Sequence, residues 1–383
     1  MNAQPRPCLS CFLVGDVLNE AGARTKYGLL FEALSRACQV EAIHDLTLRG
    51  PARWLNLAQA FHPHPQTWKE RFYKNLPAFH LRSQRAARIL RQQAAVEKPA
   101  PCLIFQVGVL FDALQAAPSL PGVIYTDYTA VLSQRKHASQ RFPFDEKQGQ
   151  QWIALEKQAF ARASLIFTRG QFVRRSIIQD YGIAPQRVVA VGGGVNFATL
   201  PDPATRSDDI PGPQILFIGK DFLRKGGDIL LHAFAQVRQV YPRAHLNMVT
   251  SGPIPHAFSQ EMVDIIAPTW DRAAIAALYQ QADLFVLPSR EETWGDVLLE
   301  AMAYGLPCIG VTGDAMSEII AHDTTGLVVA PQPEALASAM LGLLKDPARR
   351  QQMGQAARQR VETAYTWEAV VQKMLPFLQG LAG

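Results

Sequence analysis

Short, mainly apolar runs alternate along this chain with longer stretches in which apolar residues recur every three or four positions. The short runs lie at 8–14, 40–46, 103–107, 122–126, 165–168, 187–191, 214–218, 245–250, 282–288, 307–310 and 326–330. Each reads as a strand covered on both faces, which is how a parallel sheet appears in sequence. The periodic stretches, among them 25–38, 152–161, 171–181, 228–241, 270–281, 334–345, 347–363 and 367–378, read as helices packed by one stripe. Strict alternation of the two predicts an α/β protein with parallel sheets. The alternation breaks once, at Gly192-Gly193-Gly194 and the following stretch to residue 213, which carries Pro201, Pro203, Pro211 and Pro213. Glycine and proline in such density mark a linker. The expected division is a first domain over 1–195, a linker over 196–213, a second domain over 214–366, and a closing helix over 367–383.

The most informative stretch is 282–310. A strand ends at Pro288, a polar loop runs from Ser289 to Gly295, and a helix of about three turns follows, capped by Gly305 with Pro307 beyond. A loop at the carboxyl end of a parallel strand and the amino end of a helix is where open α/β sheets bind ligands. The unpaired N–H groups of the helix start favour a phosphate. Glu292 in the loop and Glu300 in the helix frame that position, and carboxylates accept hydrogen bonds from sugar hydroxyls. A second loop, Gly219 to Gly227, follows the strand at 214–218 and carries Lys220, Arg224 and Lys225, cations suited to a diphosphate. Sugar, phosphate and ribose together suggest a nucleotide sugar.

Glu292 and Glu300 with seven residues between them, Gly295, and Ala301-Met302-Ala303-Tyr304-Gly305-Leu306-Pro307 resemble the Glu-x7-Glu signature of retaining glycosyltransferases of family 4. That resemblance implies the GT-B fold: two Rossmann-like, doubly wound parallel-sheet domains facing a central cleft. It implies that Glu292 contacts the donor sugar and Glu300 the ribose. The segment Thr293-Trp294-Gly295-Asp296-Val297 would meet the diphosphate, with Gly219, Lys220, Arg224 and Lys225 opposite. The family's Glu-Gly-Phe-Gly is Glu292-Thr293-Trp294-Gly295 here, and Asp296 at the helix start either caps N–H groups or opposes the phosphate. In the first half, Gly22 matches a loop glycine beside the cleft, with Arg24 as a candidate acceptor-side cation. Asp127 or Tyr128 stands where the family places a polar residue, often histidine, near the reactive carbon. The closing helix is expected to return to the first domain. The catalytic set implied is Glu292, Lys225, Lys220 and Asp127, with no metal and no cofactor, the nucleotide sugar being a substrate.

The implied reaction moves a sugar from a UDP- or GDP-hexose to a glycan or lipid-linked acceptor, in cell-envelope or exopolysaccharide assembly. A non-catalytic nucleotide-sugar binder, or another GT-B enzyme such as an epimerase, are the rivals. Composition narrows little: 48% of residues are hydrophobic, 19% charged, and the formal net charge is +5, which suits anionic partners. No nucleic-acid module motif is present, and no G-x-G-x-x-G. The five cysteines are expected to be reduced thiols of a cytoplasmic protein without a signal peptide. Between 54 and 98 basic and aromatic residues interleave, densest over 66–98. Such a segment either lies on the anionic inner face of a membrane or packs its aromatics on its own sheet with solvated arginines.

Overall fold

The computed structural model describes residues 6–94, 103–136, 142–205, 210–251, 254 and 261–382. His137 of the loop after Arg135 and Lys136, and Gly252-Pro253, lie outside the described residues. Packing divides the chain into two units, 1–193 with 367–383, and 194–366.

Unit 1 holds strands β1 (Cys8–Leu13), β2 (Gln39–Asp45), β3 (Leu103–Val107), β4 (Gly122–Thr126), β5 (Leu165–Thr168) and β6 (Val188–Ala190). They form one sheet in the order β2-β1-β3-β4-β5-β6, with every pairing parallel. The helices between them are α1 (Ala21–Ala37), α2 (Gly50–Gln59), α3 (Pro65–Tyr73), α4 (Leu76–Ala94), α5 (Ala130–Arg135), α6 (Glu146–Arg162) and α7 (Gln171–Gln179). Unit 2 holds β7 (Gln214–Asp221), β8 (His245–Ser251), β9 (Val263–Ile266), β10 (Leu284–Leu287), β11 (Cys308–Val311) and β12 (Gly326–Val329). Their order is β12-β11-β10-β7-β8-β9, again all parallel. Its helices are α8 (Gly227–Val240), α9 (Arg272–Gln281), α10 (Asp296–Ala303), α11 (Met316–Ile319), α12 (Pro333–Lys345) and α13 (Pro347–Ala364).

The last helix, α14 (Trp367–Ala382), belongs to unit 1. Trp367, Val370, Val371, Met374 and Leu378 are buried in the same cluster as Leu30 and Leu34 of α1 and Phe105, Tyr125 and Phe167 of the sheet. The described part of the expected linker is tied to unit 2: Val195 N–H bonds Tyr365 O at 2.7 Å, and Ala204 N–H bonds Tyr304 O at 2.7 Å. Proline and glycine there mark a chain without regular structure, not a free tether.

Several elements differ from the expectation, each for a local reason. β9 was not anticipated because it is an edge strand with two exposed residues, including Asp264, and so shows no continuous apolar run. The basic segment 54–98, described as far as residue 94, falls in three helices instead of one feature. Arg82 within it is buried and donates to Tyr73 O at 2.8 Å, and Arg85 donates to Thr47 O at 2.8 Å. Gly22 is in the first turn of α1, not in the loop. A side chain there would meet nothing, and the loop glycine with left-handed backbone is Gly15, at φ 123°. Cys8 is disulfide-bonded, whereas Cys11, Cys38 and Cys308 are buried free thiols. Among the described residues no helix is long and apolar enough to cross a membrane.

Candidate active site

In unit 2 the chain runs from β7 outward to β8 and β9, then returns to place β10 on the other side of β7. The loops after β7 and β10 therefore leave the same sheet end from adjacent strands and part to opposite sides, leaving a crevice. Residues 222–226 form one wall and 288–295 the other. They touch at Gly226, which has φ 74°; a Cβ there would lie 2.0 Å from Pro288 O. Only glycine meets both the backbone angle and the contact. Arg290 locks the walls further, its N–H bonding Arg224 O at 2.9 Å and its guanidinium gripping Asp228 of α8 at 2.6 and 2.7 Å.

Within this frame Lys225 Nζ donates to Glu292 Oε2, and both side chains are largely buried. The Glu292 N–H donates to Asp314 Oδ2 at 3.1 Å, which fixes the loop from the β11 side. Gly219 is packed under Lys225, where a Cβ would come 2.7 Å from Lys225 Cβ, so the lysine is pressed flat along the end of β7. Gly295 caps α10 in left-handed conformation, φ 88°. This delays the helix to Asp296 and leaves it eight residues long, shorter than the three turns expected. Thr293 is partly exposed beside it. Trp294 is buried against Tyr365, with ring centroids 5.8 Å apart, and so serves as packing. Asp296 and Val297 form the partly exposed first turn of α10.

Glu300 stands on the buried face of α10. Tyr279 of α9 donates its hydroxyl to Glu300 Oε2 at 3.1 Å, and Arg272 NH1 approaches Oε1 at 3.5 Å. Burial raises the Glu300 pKa above the usual carboxylate range; Arg272 and Tyr279 pull it back, and Asp296 pushes it up. A cavity of about 340 Å³ opens beside it, lined by Phe197, Pro201, Arg272, Tyr279 and Tyr304 among others. Tyr279 and Tyr304 stack at 5.0 Å and 14°, and Arg272 lies 5.9 Å from the Phe197 ring centre. This is a concave, mostly apolar site with three aromatic rings, one carboxylate and one guanidinium, of the kind that holds a planar, hydroxyl-bearing ligand.

Two of the expected donor cations have other engagements. Arg224 Nε bonds Asp221 at 3.1 Å and NH1 bonds Glu291 O at 3.2 Å, so its fork holds the two loops together. Lys220 is exposed and its Nζ lies 4.8 Å over the Trp270 ring. Among the described residues no ion pair joins it to an acidic side chain. The structure thus brings together Gly219, Lys225, Glu292 and Gly295, with Glu300 about one turn along α10.

The first-half candidates form their own cluster in unit 1. Lys26 of α1 pairs with Asp127, beyond the end of β4, at 3.7 Å. Arg24 is exposed and donates to Leu18 O. Tyr128 packs on Phe172 at 5.9 Å. Arg169, at the end of β5, is buried between the rings of Tyr125 and Trp367 at 5.8 and 5.7 Å. Arg169, Arg272, Tyr279 and Asp314 were not anticipated. The only trace of Tyr279 in sequence is its place on an apolar helical stripe.

Two parallel six-stranded sheets of these orders, each flanked by helices, make the fold of the GT-B glycosyltransferases. Sucrose-phosphate synthase from Thermosynechococcus elongatus superposes with a TM-score of 0.67 at 20% identity, over 98% of this chain and 99% of that one. Anabaena HepE in complex with UDP-glucose superposes at 0.63 and 17% identity, over 97% and 99%. Residues 212–346 match the family model described as Glycosyl transferases group 1, and this chain carries a domain of that family. The D-inositol 3-phosphate glycosyltransferase of Kineococcus radiotolerans is 29% identical over 252 residues, 57% of this chain and 58% of that protein. The protein of the same name from Corynebacterium aurimucosum is 24% identical over 382 residues, 94% and 88%. The match thus spans little more than half of the first of these relatives, and most of the second.

Proposed function

We propose that this chain is a retaining, metal-independent glycosyltransferase of family 4 type. Its donor is a UDP- or GDP-hexose and its acceptor a glycan or lipid-linked glycan, in cell-envelope or exopolysaccharide assembly. The observation that carries the reading is the placement of Lys225, Glu292 and the start of α10 at the strand-order reversal, with Glu300 in a nucleoside-sized cavity about one turn along the same helix. The complex of HepE with UDP-glucose, a protein of the same fold, supports a nucleotide-sugar donor.

In this reading Glu300 accepts hydrogen bonds from the ribose diol, held for the task by Tyr279 and Arg272. The diphosphate rests between the α10 start and Lys225. Glu292 orients the sugar and, in the absence of donor, holds Lys225 in place. As the anomeric bond breaks, negative charge grows on the diphosphate and positive charge on the sugar ring. A fixed ammonium and aligned N–H groups stabilise the first without reorganising. Lys220 adds a flexible charge at the rim. Asp127 and Tyr128 serve the acceptor side.

The test is a thermal-shift screen with UDP-, GDP- and ADP-sugars, followed by turnover and anomer assignment on the best donor. Lys225→Ala is expected to lower turnover by about a hundredfold or more, the scale of losing one charge-stabilising donor. Near-normal turnover in that variant, or inversion at the anomeric carbon, sinks the reading. Binding without transfer to any acceptor favours a sensor, and donor epimerisation without acceptor favours an epimerase.

A further inference from the structure

The acidic-free stretch 46–69 holds an unusual surface. α2 turns Asn56 and Ala60 inward, where the Asn56 side chain bonds Phe72 O at 2.9 Å and accepts from Asn75 at 2.7 Å. The opposite face is apolar and uncovered: Trp54 is 68% exposed, Leu55 55%, and Phe61, two turns beyond Trp54, 62%. Ala58 lies between them on the same side and is also exposed. Leu18, 65% exposed, stands in the loop after β1. Arg49 ties that loop to the start of α2, meeting Asp16 at 3.3 Å and Asp45 at 2.8 Å. Residues 46–69 contain no aspartate or glutamate, while Arg53 and Lys69 are exposed and among the described residues have no acidic partner.

We propose that this face of α2, with Phe61 beside it, seats unit 1 on an anionic phospholipid surface. The occupant follows from the pairing of features. An outward apolar stripe with a Trp and nearby cations, on a stretch that carries no carboxylate from 46 to 69, suits the boundary between acyl chains and acidic headgroups. A protein partner would more often meet charges of both signs, and this stretch offers one sign only. The position has a consequence for chemistry. β1, β2 and β4 are parallel, so the loops after them leave the same end of the sheet. The membrane face therefore lies on the rim that carries Arg24, Lys26 and Asp127. This deepens the proposed function by saying where a lipid-linked acceptor is met, and rests on that reading for the acceptor alone. It also moves the contact from 66–98, where Arg82 and Arg85 are used internally, to α2.

The test is flotation of the full chain with vesicles of phosphatidylcholine alone and of phosphatidylcholine mixed with phosphatidylglycerol. The natural chain is expected to float with the mixed vesicles, less with the neutral ones, and less as salt rises. The combined variant Arg53→Glu, Trp54→Ser, Leu55→Ser should lower partitioning by about tenfold or more, since two large apolar contacts are removed and one headgroup attraction is reversed. Its thermal shift with the best nucleotide sugar should be unchanged, because that reads unit 2. Failure of the natural chain to float, or equal flotation of the variant, overturns the proposal while leaving donor binding intact. Concentration-dependent self-association abolished by the same variant also overturns it and assigns the face to a second copy.

Discussion

Gly226 shows how much of the candidate site depends on a single backbone position. Its φ of 74° and its contact with Pro288 O leave no room for a Cβ. Gly226→Ala is expected to cost about 3 kcal/mol or more, combining left-handed strain with a backbone clash. Denaturant melts would report this as a lower midpoint, and the loss of nucleotide-sugar affinity should exceed what the fall in stability explains, because both crevice walls shift. A melt unchanged within error would mean the two loops are not locked as described. Lys225, Glu292 and Glu300 were legible in sequence because charges at strand ends beside loop glycines have few other reasons to coincide; Gly226 stood out only as part of the loop 219–227. Arg272 and Tyr279 were not. An arginine at a helix start and a tyrosine on an apolar stripe look like surface and core until Glu300 is placed between them.

At the scale of elements, the central strands β1, β3, β4, β5 and β10 were readable almost to their ends because burial on both faces leaves mainly apolar runs, whereas the half-exposed edge strand β9 left none. The α2–α4 region resisted, since its arginines serve both solvent and carbonyls. The α5–α6–α7 layer contains a feature no pattern announces. Glu156 of α6 is buried, with Ala130 N–H at 2.8 Å and the Tyr181 hydroxyl donating to the same Oε2. Burial pushes its pKa up to about 7, against the two hydrogen bonds that favour the charged form. A raised carboxyl binds its proton more tightly folded than unfolded. Stability therefore falls as pH climbs above the unfolded value, and the loss is complete once pH exceeds about 7. Glu156→Gln keeps an oxygen acceptor for both donors and removes the titration. The variant is expected to flatten the decline in Tm between pH 5 and 8, limits chosen at roughly the unfolded and folded values. A decline of equal slope in both proteins would assign it to other groups.

For the molecule as a whole, unit 1 depends on a helix that follows unit 2 in the chain. Trp367 is buried against Tyr125, with ring centroids 6.4 Å apart, and α14 supplies five buried side chains to the core. Trp367→Ala is expected to remove about 3–5 kcal/mol from unit 1, the usual result of emptying a large aromatic site, while unit 2 keeps its own cluster. Hydrogen exchange should show faster opening across β1, β3 and β4 and unaltered protection in β7, β10 and β11. Uniform loss of protection would mean that the two units unfold as one.

The return of α14 also sets a timetable for biosynthesis. A ribosome delivers residues 194–366 before residue 367, so the segment that encodes the unit 2 crevice has every part it needs while the amino-terminal half still lacks one wall. The half made first should mature last. Until α14 arrives, the nascent chain carries an open apolar seam along α1 and the first sheet, a natural stopping place for a chaperone.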